Sequence, residues 1–315
     1  MTSRTLDLGP GVGLYMHEIG DGDGPTLAVL GGVHGDEIEG VAAARMLINL
    51  AELLDAQGLL RGTLRVVPVC NPPAFEARTR TSPLDGENLA RVFPGDASAS
   101  VTKQIAHALT ERVIRGADLL VDLHSAGVHY SMPLFVGFVD HLVTSPMSRE
   151  AATAFGAPLT WQHEGSGPGR SLSAAADLGV PSIYVEGSGG GGLAGTDLDT
   201  YVRGLTRLLA HFGMGHETPG PHIESAWLSG DDGDVDSSLA SDVAGYCVTR
   251  SVAGDVVSAG QVIAEIIDDA ARVVQEIVNP RPGPATVMML RQTAIVTPGD
   301  AIAMLGPAPI AAASL

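Results

Sequence analysis

The sequence of 315 residues contains little lysine, little cysteine and no long apolar run. Lys103 is the single lysine, beside 17 arginines. The scarcity of lysine excludes Schiff-base chemistry and a biotin or lipoyl carrier site over almost the whole chain. Anion recognition must therefore depend on arginine. Cys70 and Cys247 lie too far apart in sequence for a disulfide framework or a Cys-x-x-Cys metal site. Because no stretch reaches the roughly 18 apolar residues of a membrane span and the N-terminus lacks a signal-peptide pattern, we expect a cytoplasmic protein.

Charge and composition narrow the class further. Asp and Glu number 36 against 18 Lys and Arg, so the net charge is −18. Such an acidic chain repels phosphate backbones and anionic lipids, which argues against nucleic acid and membrane surfaces as partners. Hydrophobic residues make up 45% of the chain, enough for packed cores.

Short apolar runs alternate with helical patterns over the first two thirds of the chain. This alternation predicts an α/β fold whose mixed, largely parallel sheet is flanked by helices. The predicted strands cover residues 25–31, 64–69, 118–124 and 182–186, and the predicted helices cover 36–54, 101–115, 171–178 and 197–212.

The pattern changes after residue 213. A Gly- and Pro-rich stretch over 213–222 predicts a linker between a catalytic domain, 1–215, and an accessory domain, 222–315. The accessory part has short apolar runs between turn residues, which predicts a small β-barrel or sandwich. Residues 254–260 resemble the hairpin of a biotinyl/lipoyl-like barrel, but without a carrier lysine the barrel is predicted to be a scaffold.

Three side chains that are common zinc ligands follow or end predicted strands. His34 and Glu37 lie three residues apart in GGVHGDEIEG (31–40), and His124 ends the strand LLVDLH (119–124). Because the carboxyl ends of parallel strands meet at one sheet edge, these residues predict a zinc site with an open position for water. Asp122, on the same strand face, is predicted to orient His124. The alternatives are a surface His–Glu pair near a turn and a histidine that caps the core.

Two further elements supply polar groups. Glu186 ends another apolar strand, where a general base beside a metal-bound water would lie. The glycines that follow it fit a lid over the site, a backbone that a substrate can approach closely, or a plain flexible loop. Arg78, Arg80 and Arg91 lie in a loop after a strand, where one guanidinium would polarise the scissile carbonyl and another would bind a carboxylate. Solvated surface arginines are the alternative.

As an ordered set these motifs resemble the succinylglutamate desuccinylase/aspartoacylase family of the zinc-carboxypeptidase-like clan. The resemblance extends over about residues 25–215, and the predicted barrel suits the β domain appended in that family. Residues 82–86 and the glycine run are closest to a bacterial deacylase branch similar to N-acetyl-diaminobutyrate deacetylase. The motifs are GGVHGDEIEG (31–40), NPPAF (71–75), TR (79–80), NLARVFPG (88–95), DLH (122–124) and VEGSGGGG (185–192).

The resemblance implies one Zn²⁺ per subunit, together with a role for each residue that matches a family motif. In that reading Glu186 is the base, Arg80 polarises the substrate carbonyl, and Arg91 binds a substrate carboxylate. Asn88 and Arg78 are predicted to contact substrate as well. The implied zinc ligands are His34, Glu37 and His124.

One position departs from the family pattern. Ala90 stands where the family usually has an asparagine that helps to bind the substrate carboxylate. Loss of one donor weakens such binding by about 1–3 kcal/mol. The substrate is therefore expected to lack that carboxylate or to present it differently.

The main hypothesis is a zinc-dependent amidohydrolase that removes an N-acyl group, N-acetyl foremost, from an amino acid or similar small amine. A metallocarboxypeptidase acting on peptide C-termini shares the metal ligands but needs a deep carboxylate pocket, which Ala90 disfavours. A non-catalytic, metal-dependent binding protein with the barrel as interaction module is the third reading. The expected partner is a small N-acylated molecule, and the sequence leaves a homo-oligomer open.

Overall fold

Nine strands form one mixed sheet. A computed structural model describes residues 3–140, 142–215, 224–233 and 237–310. The strands up to residue 229 are β1 (Arg4–Asp7), β2 (Tyr15–Gly20), β3 (Thr26–Gly31), β4 (Thr63–Val67), β5 (Leu119–Ser125), β6 (Tyr130–Ser131), β7 (Phe135–Val139), β8 (Leu159–His163), β9 (Ser182–Gly187) and β10 (Ala226–Ser229).

The sheet has the order β1-β2-β4-β3-β5-β9-β7-β8-β10. Strands β4, β3, β5 and β9 pair parallel to one another, as do β7, β8 and β10. The pairs β1–β2, β2–β4 and β7–β9 are antiparallel. The predicted mixed, largely parallel sheet is therefore confirmed.

Helices cover both faces of this sheet. Alternate residues of β3 enter different cores: Leu27 and Val29 pack with the helices at 38–56, 145–155 and 195–211, whereas Ala28 and Leu30 pack with those at 101–109 and 171–177. Burial on both faces explains why the central strands read as continuous apolar runs. The helices are α1 (Ile38–Ala56), α2 (Pro72–Ala77), α3 (Val101–Leu109), α4 (Ser145–Phe155), α5 (Ser171–Asp177) and α6 (Gly195–His211), with a π-helical turn at Thr110–Ile114 and a 3-10 turn at Leu89–Arg91.

The predicted boundaries differ from the observed ones where backbone chemistry intervenes. The first helix begins at Ile38 rather than at residue 36, because Glu37 has an extended backbone. The strand expected over 64–69 ends at Val67, and the Pro68 that follows has no N–H to donate to a ladder.

Beyond residue 237 the chain forms antiparallel sheets, as predicted. The strands are β11 (Leu239–Ala240), β12 (Gly245–Thr249), β13 (Val256–Val257), β14 (Val262–Ile267), β15 (Val273–Val278), β16 (Ala285–Arg291), β17 (Ile295–Val296) and β18 (Ala301–Pro307). One sheet has the order β11-β18-β16-β13 and the other has the order β15-β14-β12-β17; strand β6 pairs with β16 of the first.

The domain boundary stays a prediction. Strand β10 lies within the predicted accessory domain but pairs with β8 in the nine-stranded sheet. Most of the predicted linker, residues 216–223, lies outside the described residues. Among the described helices, none combines the length and the apolarity that crossing a bilayer demands. The cytoplasmic location likewise stays a prediction.

Candidate metal centre and active site

The predicted metal ligands meet at the carboxyl edge of the sheet. Strand β3 pairs parallel with β5, so the loop that carries His34 and the end of β5 that carries His124 lie side by side. The loop passes close to α2: a Cβ at Gly35 would lie 2.0 Å from the carbonyl carbon of Ala74. Only glycine permits this approach, which brings His34 and Glu37 down onto β5.

Three side chains converge there with their donor atoms facing one another. His34 Nδ1 lies 2.7 Å from Glu37 Oε1, and His124 Nδ1 lies 2.9 Å from Glu37 Oε2. One donor atom from each residue falls within 4.8 Å of the others. Two imidazoles and a carboxylate are a donor set that suits Zn²⁺ and leaves a coordination position open.

The outer nitrogen of each imidazole contacts an oxygen acceptor. His34 Nε2 lies 3.1 Å from Asn88 Oδ1, and His124 Nε2 lies 3.1 Å from Asp122 Oδ2. Asp122 Oδ2 also accepts a hydrogen bond from the Ser171 hydroxyl. Each acceptor favours the tautomer with hydrogen on Nε2, which turns the Nδ1 lone pair toward the cluster. Asp122 therefore contacts His124 as expected, whereas the predicted substrate contact of Asn88 stays a prediction.

The carboxylates of the cluster favour positive charge beside them. Burial alone would raise the pKa of Glu37, but His34 and His124 outweigh it and hold that pKa well below its usual range. Burial lowers the pKa of His34, and the Arg80 guanidinium lowers it further. Burial would also lower the pKa of His124, but the Asp122 and Glu37 carboxylates raise it well above the ordinary value. An ionised carboxylate thus faces two imidazoles away from solvent.

Glu186 lies beside this cluster. It is directly opposite His124 in the parallel pairing of β5 with β9. Burial raises the pKa of Glu186 to about 8; His124 opposes this shift and Glu37 adds to it. Its Oε2 is buried and has no hydrogen-bond partner in the described part of the chain. This is the environment of a carboxylate that accepts a proton near neutral pH.

The glycine loop after Glu186 is anchored. Gly189 N donates to Glu39 Oε1, and Gly190 N and Gly191 N donate to Tyr130 O and Gly127 O at 2.9 and 3.0 Å. These bonds tie the loop to the segment that follows β5. The loop is hydrogen-bonded to its neighbours in this structure, and its role as a lid, as close backbone access for a substrate or as a plain loop stays a prediction.

The three predicted arginines lie in different surroundings. Arg80 Nη1 donates to Glu37 Oε1 at 3.0 Å, so the guanidinium reaches the metal cluster. Arg91 lines the cavity that opens from the metal cluster and donates to Ala90 O at 3.1 Å. Arg78 is exposed, ends α2 with a left-handed backbone, and lines a second cavity of about 1020 Å³.

A cavity of about 770 Å³ opens from the cluster across β9, β7 and β8. His163 and Tyr184 form part of its wall, and His163 Nε2 lies 2.6 Å from the Tyr184 hydroxyl. Gly137 makes this pair possible, because a Cβ there would lie 2.1 Å from Tyr184 Cε1. Arg170 also lines the cavity and was missed by sequence reasoning, although its position in a Gly-rich loop after a strand is a usable signal.

The comparisons with known proteins agree with this geometry. Residues 23–212 match the family model described as the succinylglutamate desuccinylase/aspartoacylase catalytic domain. The chain is 33% identical over 288 residues to the N-alpha-acetyl-L-2,4-diaminobutyric acid deacetylase of Halomonas elongata, covering 90% of this chain and 82% of that protein.

Solved structures show the same likeness. A succinylglutamate desuccinylase from a Silicibacter species is 28% identical with a TM-score of 0.83, and the match covers 93% of this chain and 88% of the other. The ectoine utilization protein EutE (DoeB) from Ruegeria pomeroyi, solved with product bound, is 27% identical with a TM-score of 0.82 over 94% of this chain and 89% of the other. The chain therefore belongs to the succinylglutamate desuccinylase/aspartoacylase family, whose deacylases share this type of His-Glu-His metal site.

Proposed function

We propose that this protein is a zinc-dependent amidohydrolase that removes an N-acyl group, in the first place N-acetyl, from an amino acid or similar small amine. The observation that carries the proposal is the convergence of His34, Glu37 and His124 beside a buried carboxylate, Glu186, whose Oε2 has no described partner. A metal site next to a proton acceptor is the arrangement that metal-assisted amide hydrolysis uses.

Zn²⁺ held by the three ligands would supply Lewis acidity and lower the pKa of a coordinated water toward about 7. Glu186 Oε2 takes the proton of the attacking water and returns it to the amine nitrogen as the C–N bond breaks. Arg80, whose Nη1 lies 3.0 Å from Glu37 Oε1, is close enough to the ligand set to donate to the substrate carbonyl oxygen as negative charge develops there.

The cavity supports a small substrate with a carboxylate. Arg91 and Arg170 both line it, and guanidinium groups bind carboxylates with two parallel hydrogen bonds. Ala90 lines the same cavity without a side-chain donor, so the arginines carry this recognition. The Halomonas relative is named as a deacetylase of Nα-acetyl-L-2,4-diaminobutyric acid, so this compound is the first substrate to assay.

The test is metal removal followed by measurement of amide hydrolysis. Zinc is stripped with a chelator, and acetate or succinate release is followed by mass spectrometry on a panel of N-acetyl and N-succinyl amino acids. We expect activity on at least one member to disappear with zinc and to return when zinc is restored. Undiminished hydrolysis by fully metal-free protein contradicts the proposal.

A further inference from the structure

Glu39 is a buried acid next to the site that has no role in the chemistry above. It lies in the first turn of α1 and is only 2% exposed. Its Oε2 accepts a hydrogen bond from the Ser125 hydroxyl at 2.6 Å, and its Oε1 accepts one from Gly189 N at 3.0 Å. Both partners belong to other segments, so a single side chain joins three parts of the fold.

Each of those three parts carries a residue of the active site. Glu39 lies two residues after Glu37. Ser125 follows His124 directly, and its backbone N donates to Glu37 Oε2 at 3.1 Å. Gly189 lies three residues after Glu186, in the anchored loop. The carboxylate therefore bridges the segments of both the metal ligands and the base.

A carboxylate suits this position better than an amide. The hydroxyl of Ser125 and the N–H of Gly189 both donate, and an ionised carboxylate offers an acceptor oxygen to each. The first turn of a helix also favours negative charge. A glutamine would turn an NH₂ group toward one of the two donors: toward Gly189 it would place two donors face to face, and toward Ser125 it would take away the oxygen that accepts the hydroxyl proton.

We propose that Glu39 is a positioning residue that fixes the metal-binding end of β5 and the loop of Glu186 relative to one another. The part of this proposal that concerns Glu186 rests on the proposed hydrolase function. The part that concerns the metal ligands does not, since it needs only that zinc binds. Residues that orient metal ligands from outside typically change metal affinity or activity by about 10- to 100-fold when they are replaced.

The experiment compares Glu39→Gln with Glu52→Gln, a matched variant on the same helix whose side chain bonds Ser3 far from the site. Zinc affinity is measured by competition with a chelator, and the visible absorption spectrum of Co²⁺-loaded protein reports the ligand geometry. Hydrogen exchange followed by mass spectrometry reports the amides of residues 186–191. Turnover of Nα-acetyl-L-2,4-diaminobutyric acid gives kcat and KM.

We expect Glu39→Gln to weaken zinc binding by about 10-fold or more, to alter the Co²⁺ spectrum and to speed exchange over residues 186–191. Where turnover is measurable, kcat falls and KM changes little. Glu52→Gln matches the parent protein in all of these. Unchanged zinc affinity, Co²⁺ spectrum and exchange in Glu39→Gln overturn the proposal.

A second variant decides the matter if Glu39→Gln does not fold. Ser125→Ala removes one donor and leaves the Gly189 bond, so it is expected to weaken zinc binding while exchange over residues 186–191 stays as in the parent. Parent-like zinc affinity in Ser125→Ala overturns the link to the metal ligands. Absence of turnover in the parent protein on every substrate speaks against the hydrolase proposal alone, because zinc affinity and exchange still test Glu39.

Discussion

At the scale of single residues, the site shifts the pKa values of two glutamates in opposite directions. Glu37 is ionised because two imidazoles and Arg80 face it, whereas burial raises the pKa of Glu186 to about 8. Environments that push the pKa values of two carboxylates apart assign them different roles. Glu37 is suited to hold a cation permanently, and Glu186 is suited to gain and lose a proton.

Replacing Glu186 by glutamine tests its role as the base. The amide keeps the shape of the side chain but cannot accept the proton, so kcat for Nα-acetyl-L-2,4-diaminobutyric acid is expected to fall about 100- to 10,000-fold. The zinc content, measured by elemental mass spectrometry, is expected to equal that of the parent. Parent-like turnover in this variant would falsify the assignment, and loss of zinc would show instead that Glu186 supports the metal.

His163 gives a prediction about stability and pH. Burial lowers its pKa from 6.5 to about 3, with a smaller contribution from Arg170. The folded protein therefore holds His163 neutral, whereas the unfolded chain protonates this residue as the pH falls below 6.5. The contribution of His163 to the free energy of unfolding is therefore complete above pH 6.5 and is lost as the pH falls toward 3. In that window the free energy of unfolding is expected to change by up to about 1.4 kcal/mol per pH unit because of this one residue.

The free energy of unfolding of His163→Gln is therefore expected to depend less steeply on pH between 6 and 4 than that of the parent. Urea unfolding at several pH values measures the slope. His211→Gln, which changes an exposed histidine in the last turn of α6, serves as the control and should follow the parent. Parallel curves for the parent and His163→Gln would show that folding does not change the pKa of His163 and would contradict the prediction.

At the scale of elements, helix packing on the sheet depends on small residues at contact points. Helix α6 contacts α4 where Gly204 meets the ring of Phe155. A Cβ at position 204 would lie 2.5 Å from two atoms of that ring. Phe155 is fully buried, so the ring has no free space into which to move.

Gly204→Ala is therefore expected to destabilise the protein by about 1–3 kcal/mol, although alanine is the better helix former. Gly195→Ala is the matched control, since a Cβ at the start of the same helix has nothing within 4 Å. Thermal or urea unfolding measures both. Equal stability of the two variants would mean that α6 shifts on α4 without cost.

The elements also show what sequence patterns can and cannot predict. The buried central strands were foreseeable because burial on both faces produces continuous apolar runs. Strand β1 was not, because its four residues are mostly exposed at the sheet edge and carry no apolar pattern. Strand β7 was missed as well; it contains Gly137, whose role depends on Tyr184 of a neighbouring strand.

The same limit applies to the site. His34, Glu37, His124 and Glu186 could be predicted because each lies at or just after the carboxyl end of an apolar strand. The contacts of Asn88 and Glu39 could not, because they join segments that are distant in sequence and depend on how loops pack over the sheet.

At the scale of the whole molecule, the C-terminal sheets take part in the cavity. Met304 of β18 lines it and packs in one cluster with Trp161 of β8. Strand β6, which follows the His124 strand, pairs with β16. The metal cluster likewise joins the loop after β3, the start of α1 and the end of β5. A cation bound there would link elements that are far apart in the chain.

Zinc is therefore expected to stabilise the whole protein against heat. A ligand that binds only the folded state adds about 2.7 kcal/mol when its free concentration is about 100 times Kd. That corresponds to a rise in Tm of several degrees for a chain of this size. Calorimetry of metal-free protein with increasing Zn²⁺ measures the shift. Mg²⁺ at the same concentrations is the control, because it prefers six oxygen ligands and is expected to leave Tm unchanged. His34→Asn should abolish the zinc-dependent rise, and a rise of equal size in that variant would place the binding of zinc elsewhere in the protein.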